Sequence, residues 1–200
     1  MSYPELAEIK AWLGIEPGRV TDDALLTTLR TQAIGYIEGP AGAGRQFAVS
    51  ADSTRTFDAD RDVDLADRRT LYLWDDLAQI TSITNGDGTS IPLTDIATEP
   101  RNEGPFYALR IKRSSSAVWT WTDAPEDAIS ITGRWGYSIT PPADIALALK
   151  LIVAYFYRRR GSSSESDRPL IGEGGVIIAA ATVPKELRAM VESYRRTTPR

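Results

Sequence analysis

Residues 129–160 constrain the fold more than any other part of the sequence. Ile129 and Ile131 alternate with polar residues as a strand does, and Pro141 and Pro142 then prevent that strand from continuing. Because proline suits the first turn of a helix, the pattern predicts a long helix over residues 142–160. One apolar face of this helix carries Ile145, Leu149, Ile152, Val153 and Phe156, and a second set widens it: Leu147, Leu151, Ala154 and Tyr155. A helix this apolar must be buried on more than one side, in a core or against another chain.

The 200 residues include no cysteine and no histidine. Disulfides, thiolate zinc sites and cysteine nucleophiles are therefore excluded, and the commonest general base and metal ligand is missing. We expect no catalytic residue, no cofactor and no metal. The enzymatic alternative is a carboxylate-based hydrolase that uses a pair from the Asp-rich loops, but the sequence singles out no such pair.

Charge is unevenly distributed along the chain. Residues 1–140 contain 21 acidic and 13 basic side chains, whereas residues 141–200 contain 6 acidic and 10 basic ones. An acidic body with a basic tail predicts two kinds of surface, of which the tail should seek an acidic partner. The N-terminus shows no signal-peptide pattern and the longest apolar helix is too short to span a bilayer, so we expect a cytosol-like site of synthesis and no membrane.

The predicted architecture is α+β: a mainly helical bundle with an inserted antiparallel β subdomain. Helices are expected at about residues 4–13, 22–38 and 142–160, with the β insertion at about 46–138. Residues 1–160 would form one domain. Residues 161–200, rich in Gly, Ser and charge around the apolar run 176–181, would form a flexible tail with a terminal helix at about 184–196.

Within the β insertion, short alternating runs such as 69–74 and 78–84 predict separate strands. The clearest hairpin follows the second run. There, Asn85-Gly86 and Asp87-Gly88 are expected to supply the positive φ angles of a tight turn.

Three other patterns have both a functional and a structural interpretation. The glycine-rich loop 39–45 follows a helix rather than a strand and lacks a Lys-Ser/Thr pair, so we interpret it as a link and not a phosphate cradle. The alternating aspartates Asp58, Asp60, Asp62 and Asp64 begin like a calcium loop, but Val63 stands where glycine is needed. A solvated acidic loop or sheet edge is the favoured interpretation.

Aromatic residues near the end of the insertion form the third pattern. Trp119, Trp121, Trp135 and Tyr137 are spaced as a platform that would stack single-stranded bases or sugars. Acidic residues follow closely, so core or subunit packing is favoured. A single-stranded nucleic-acid-binding or carbohydrate-binding β module remains the alternative function.

Residues 4–160 resemble the head–tail connector (adaptor) proteins of long-tailed bacteriophages. The resemblance lies in the order of elements, in the run DRRTLYLWDDLAQITSITNGDGTSIPL, in the NEGPFYAL turn and in RWGYSITPPADIALALKLIVAYFYRRR. The ending VPKELRAMVESYRR is also similar to members of that group.

The resemblance implies a structural virion protein of the neck, made in the bacterial host cytoplasm. It would form a ring, usually of twelve subunits, under the portal, joining the head to the tail while DNA passes through the channel. The implied partners are the portal protein, a tail-side neck or tail-terminator protein, other copies of the chain, and double-stranded DNA through non-specific proximity. The residues expected to contact partners or subunits are Arg158, Arg159, Arg160, Leu187, Met190, Val191 and Tyr194.

Overall fold

The computed structural model describes residues 2–159, 170–172, 175–177 and 183–196. The chain divides into two compact units. A helical unit comprises Met1–Arg45 and Pro141–Arg200, and a β unit comprises Gln46–Thr140. The prediction of one domain over residues 1–160 and a tail over residues 161–200 stays a prediction.

The helical unit contains α1 (Leu6–Leu13), α2 (Asp23–Glu38), α3 (Ala143–Arg159) and α4 (Lys185–Glu192), together with a two-stranded pair, β6 (Leu170–Gly172) and β7 (Gly175–Ile177). Helix α3 packs against the other three helices. Its fully or nearly fully buried residues are Ile145, Ala148, Leu149, Ile152, Val153, Ala154 and Phe156. Leu147, Leu151 and Tyr155 are half-buried, so the wide apolar face is largely used within the chain.

A buried lysine holds the loop between α1 and α2 in place. Helix α1 ends at Gly14, whose φ of 70° is a left-handed conformation that glycine adopts easily. The ammonium group of Lys10 then donates to the carbonyl oxygens of Pro17 and Arg19 at 2.9 and 2.7 Å. It also pairs with Asp23 Oδ1 at 2.8 Å. The side chain of Lys10 is 5% exposed, so one buried cation satisfies two carbonyls and a carboxylate.

The β unit is a five-stranded antiparallel sheet in the order β1-β5-β2-β4-β3. Its strands are β1 (Ser53–Phe57), β2 (Thr70–Thr84), β3 (Ile96–Glu99), β4 (Phe106–Ile111) and β5 (Ile129–Trp135), and a 3₁₀ turn covers Leu93–Asp95. One face of the sheet builds a hydrophobic core with the loops that cover it: Phe57, Ala59, Val63, Leu71, Leu73, Leu77, Ile83, Ile91, Ile96, Leu109, Ile111, Trp119, Ile129, Ile131 and Trp135.

The prediction of a mainly helical bundle is wrong. The most extensive assembly is the five-stranded sheet, which has its own core, while α1 and α4 have only eight residues each. The error has a physical cause: alternating strands bury only one side chain in two, so each run looked weakly apolar although five paired runs together enclose a full core.

The hairpin after β2 forms through Asn85. The chain reverses so that Ser90 pairs with Thr84, and only Gly88 in this turn has a positive φ, of 80°. The side chain of Asn85 is buried. Its Nδ2 donates to the Val118 carbonyl at 2.9 Å, while Oδ1 accepts from the Gly86 and Thr120 N–H groups, both at 3.1 Å.

We expect Thr89→Val to raise the pKa of Asp87. The Asp87 carboxylate accepts hydrogen bonds from the Thr89 hydroxyl at 2.6 Å and the Thr89 N–H at 2.9 Å. Both bonds favour the charged form and lower the pKa of Asp87 below its ordinary value. Because the folded pKa is the lower one, the stability this group contributes is present above the unfolded pKa, about 3.9. It is lost as the pH falls through the folded pKa.

NMR titration of the carboxyl carbons would measure this change. Asp52 serves as the internal control, because its own pKa is lowered chiefly by the Thr81 hydroxyl and should stay constant. An Asp87 that titrates at the same pH in both proteins would contradict the assignment.

Candidate interaction surface

The face of the sheet opposite the core carries an exposed aromatic pair on β2. Along this strand Leu71 and Leu73 are buried in the core, whereas Tyr72 and Trp74 are 50% and 60% exposed. This alternation follows from the strand period of two. Ala108 of β4 is the direct cross-strand partner of Tyr72 and therefore lies on the same face of the sheet.

Trp74 is held in place by a buried carboxylate. Its indole Nε1 donates to Asp62 Oδ1 at 2.8 Å, and Asp62 is only 5% exposed. The other oxygen of Asp62 accepts from the Asp58 N–H at 2.9 Å. On the indole ring lies the guanidinium of Arg61, 5.5 Å from the ring centroid, which is within cation–π range.

A bulge in β2 presents this region. Tyr72 pairs with Ala108 and Leu77 pairs with Phe106, so four residues of β2 lie opposite the single residue Tyr107. Asp75 in the bulge forms an ion pair with Arg55 of β1. A bulge of this kind interrupts the regular ladder, so the residues from Leu73 to Asp76 lie opposite no regular partner on β4.

We define the aromatic patch as Tyr72, Trp74, Arg61 and Arg110; Ala108 lies on the same face but is fully buried. Arg110 pairs with Thr70 in the ladder, so it is the diagonal neighbour of Tyr72 on the outer face. The β1–β5 part of the same face is different in character. There Thr54 and Thr132 are directly paired, and their hydroxyls lie 2.8 Å apart.

The predicted tryptophan platform does not form. Trp119 is fully buried, with its indole N–H donating to the Arg69 carbonyl at 3.0 Å. Trp135 is 3% exposed and donates to the Ser53 carbonyl. Tyr137 packs on Phe47 with ring centroids 5.3 Å apart, and Trp121 is half-buried under Arg68. The favoured interpretation of Trp119 and Trp135 as core residues is confirmed.

The alternating aspartates do not act as one solvated edge. Asp60 is exposed and Asp58 and Asp64 are half-buried, but Asp62 is buried beneath Trp74. Among the residues that the structure describes, no group of three carboxylates gathers with metal-binding geometry. In the same residues no helix has the length and apolarity required to cross a membrane.

The structure places the C-terminal candidates as follows. Arg158 is exposed, and Arg159 stacks on Tyr155 with 4.9 Å between its guanidinium carbon and the ring centroid. Arg160 lies outside the described residues, as do most of residues 161–182, including most of the apolar run 176–181. A contact role for these arginines stays a prediction.

On α4, the side chain of Val191 is fully buried inside the helical unit. Leu187, Met190 and Tyr194 are half-buried. The guanidinium of Arg195 fixes the end of α4 by donating to the carbonyl oxygens of Gly42 and Pro40 at 3.0 and 3.1 Å. Helix α4 therefore uses part of its apolar face within its own chain.

The sequence analysis does not single out Tyr72 or Trp74, and it assigns Asp62 to a solvated acidic loop or edge although Asp62 is buried. The alternation of RTLYLW indicates that Tyr72 and Trp74 share one face of a strand, but only the burial of Leu71 and Leu73 in the structure shows that this face is the outer one. The role of Asp62 depends on two contacts that no local pattern shows.

The described geometry can be compared with known proteins. A search of curated protein sequences found no match. Among solved structures, a chain from the "Neck of empty GTA particle computed with C6 symmetry" is 17% identical, with a TM-score of 0.54, and the alignment covers 98% of this chain and 91% of that one. A chain from the virion of a native gene transfer agent particle is 16% identical, with a TM-score of 0.47. That alignment also covers 98% of this chain and 91% of the other.

The neck chain shows a similar fold. A family model for head completion proteins matches residues 68–197, which include most of the β unit, α3 and α4. The match confirms the predicted resemblance to head–tail connectors and the predicted role as a structural component of the virion neck. Because it covers well over half of the sequence, the chain belongs to the head completion protein family.

Proposed function

We propose that copies of the chain form a closed ring in the neck, and we expect twelve subunits. The ring would lie between the portal protein and a tail-side neck or tail-terminator protein. The observation that supports this most strongly is the family match over residues 68–197. The fold similarity to a protein from a particle neck points the same way. Both described units would contribute to the ring body.

Charge supports passage of DNA through such a ring. The β unit contains 15 acidic and 9 basic residues, a net charge of −6. Each cationic contact with a phosphate releases counterions and adds affinity, so a channel lined with acidic side chains lets DNA slide instead of binding it.

We further propose that the chain acts without catalysis, cofactor or metal. The absence of histidine and cysteine from the sequence removes most hydrolytic constellations. The alternative of a nucleic-acid or carbohydrate module depends on Trp119, Trp121, Trp135 and Tyr137. Trp119 and Trp135 are in the core and Trp121 and Tyr137 are half-buried, so the four rings do not support it.

The experiment that tests the proposal is a particle reconstruction combined with a gene deletion. We expect density for this chain as a ring in the neck, and filled heads without attached tails when the gene is deleted. A complete, infectious particle without the chain would overturn the proposal. So would a reconstruction that places the chain elsewhere than the neck.

A further inference from the structure

We propose that Tyr36 and Arg188 form a receptor for one carboxylate group of a neighbouring protein subunit in the neck. The two residues belong to the helical unit and lie on α2 and α4. This inference rests on the proposed function, because assembly of the neck would supply the carboxylate. It gives a role to two buried polar groups that find no hydrogen-bond partner among the described residues.

Both polar groups are buried inside the helical unit. Tyr36 is 5% exposed, and in the part of the chain that the structure describes its hydroxyl has no hydrogen-bond partner. The Nε of Arg188 is buried and unpartnered in the same residues, although Nη2 donates to the Val183 carbonyl at 3.2 Å. Buried polar groups are nearly always hydrogen-bonded, because leaving one unpaired is costly. Two such groups together therefore point to a ligand.

The two groups lie close to one another. Burial raises the pKa of the Tyr36 phenol, and the positive charge of Arg188 opposes that rise. Glu192 and Arg195 also act on the phenol, in opposite directions. Arg195 in turn donates to the Gly42 carbonyl at 3.0 Å, and a Cβ on Gly42 would lie 2.3 Å from the Tyr36 carbonyl oxygen. The end of α4 and the glycine-rich loop 39–45 therefore meet at Tyr36.

The chemistry of this site selects a carboxylate. A phenol hydroxyl can donate one hydrogen bond, and the Nε–H and adjacent Nη–H of a guanidinium form a fork that matches two carboxylate oxygens. The charged groups around the phenol are two arginines and one glutamate, which leaves one positive charge. That charge balances a carboxylate better than a phosphate monoester, which carries about −1.5 to −2.

The carboxylate can enter through movement of side chains alone. Glu192 and Arg195 are exposed at the end of α4, and exposed side chains change rotamer within picoseconds to nanoseconds. Once they turn aside, an incoming carboxylate accepts hydrogen bonds from Tyr36 and Arg188. The isolated chain is thus destabilised by two unpaired groups that assembly satisfies.

Tyr36→Phe tests the receptor through two readouts. In the isolated full-length chain the substitution should leave the Tm unchanged or raise it, because it removes a hydroxyl that none of the described residues pairs. In purified particles it should lower the amount of the chain about tenfold, because a hydrogen bond to a charged group is lost.

Tyr3→Phe is the matched control. Tyr3 is also 5% exposed in the helical unit, but its hydroxyl donates to Glu38 Oε1 at 3.1 Å. This substitution should lower the Tm by about 4 °C and leave incorporation of the folded chain unchanged. A lower Tm for Tyr36→Phe would show that the chain itself pairs the hydroxyl, and normal incorporation would show that no partner uses it. Either result would overturn the proposal.

Crosslinking identifies the source of the carboxylate. In particles that carry Arg188→Lys, a carbodiimide should join the introduced amine to the carboxylate in contact with it. Mass spectrometry of the joined peptide would show whether it belongs to this sequence or to another neck protein. A crosslink found in particles and absent from the isolated chain supports the proposal. No such new crosslink would mean that the ligand is not a protein carboxylate, whereas absence of the wild-type chain from the neck would overturn the proposed function.

Discussion

Trp119→Ala is expected to lower the free energy of unfolding of the β unit by about 4 kcal/mol. The side chain is fully buried in the sheet core, and its indole N–H donates to the Arg69 carbonyl at 3.0 Å. Its backbone N–H donates to the Arg68 carbonyl at 2.9 Å, so the same residue attaches a loop without regular strand structure to the rest of the unit. Alanine would leave a large cavity and release that loop.

Denaturant unfolding of the full chain would measure the loss. Trp12→Ala is the control, because Trp12 is 46% exposed and should cost less than about 1 kcal/mol. Trp119→Phe keeps most of the apolar volume but loses the hydrogen bond, so its effect should lie between the two. Equal stability of the Trp119→Ala and Trp12→Ala proteins would show that the loop does not belong to the core.

Lys10→Met is expected to destabilise the helical unit by about 3 kcal/mol. Methionine fills the space but leaves the Pro17 and Arg19 carbonyls and the Asp23 carboxylate without their shared donor. The Asp23 side chain is 30% exposed, so the loss comes mainly from the hydrogen bonds that the buried Lys10 ammonium donates to the two carbonyls.

Lys150→Met provides the matched comparison for this prediction. Lys150 lies 3.6 Å from Glu8, whose side chain is 55% exposed, and such pairs contribute less than about 1 kcal/mol. Unfolding of both variants in urea would be followed by the helical circular dichroism signal, and their midpoints would be compared with that of the wild type. If the two methionine substitutions shift the midpoint equally, Lys10 does not have the role assigned to it.

Local patterns in the sequence predicted α3 well. The helix runs from Ala143 to Arg159, against a predicted range of 142–160, because its start depends on adjacent prolines and its face on a regular period. Both signals lie within the segment itself. The pairing order of the strands has no such local signal, since it depends on contacts between distant residues.

Strand β2 shows where the local pattern fails. The sequence predicts residues 69–74 and 78–84 as separate strands, with Asp75, Asp76 and Leu77 between them. In the structure a single strand, Thr70–Thr84, continues through these residues as a bulge. Asp75 finds Arg55 on another strand, and Asp76 is 8% exposed. Only the pairing partners distinguish a bulge of this kind from a turn.

The candidate surface was missed for a related reason. Trp119 and Trp121 were interpreted as one strand face from their spacing, but the first is in the core and the second lies half-buried in a loop. Tyr72 and Trp74 had the same spacing within a true strand. Their exposure follows from the burial of Leu71 and Leu73, which the sequence alone does not assign to a side of the sheet.

The buried amide of Asn85 has a consequence for chemical ageing. Asn-Gly is the dipeptide in which the glycine nitrogen most readily attacks the asparagine side chain, closing a succinimide and losing ammonia. Packing demands this dipeptide, because a Cβ at residue 86 would lie 2.4 Å from the Thr120 carbonyl oxygen. Packing also restrains the asparagine side chain, since Nδ2 donates to the Val118 carbonyl and Oδ1 accepts from the Thr120 N–H. We expect the hairpin to open before Asn85 deamidates. The stability of the folded β unit then limits the rate of Asn85 deamidation in a stored particle.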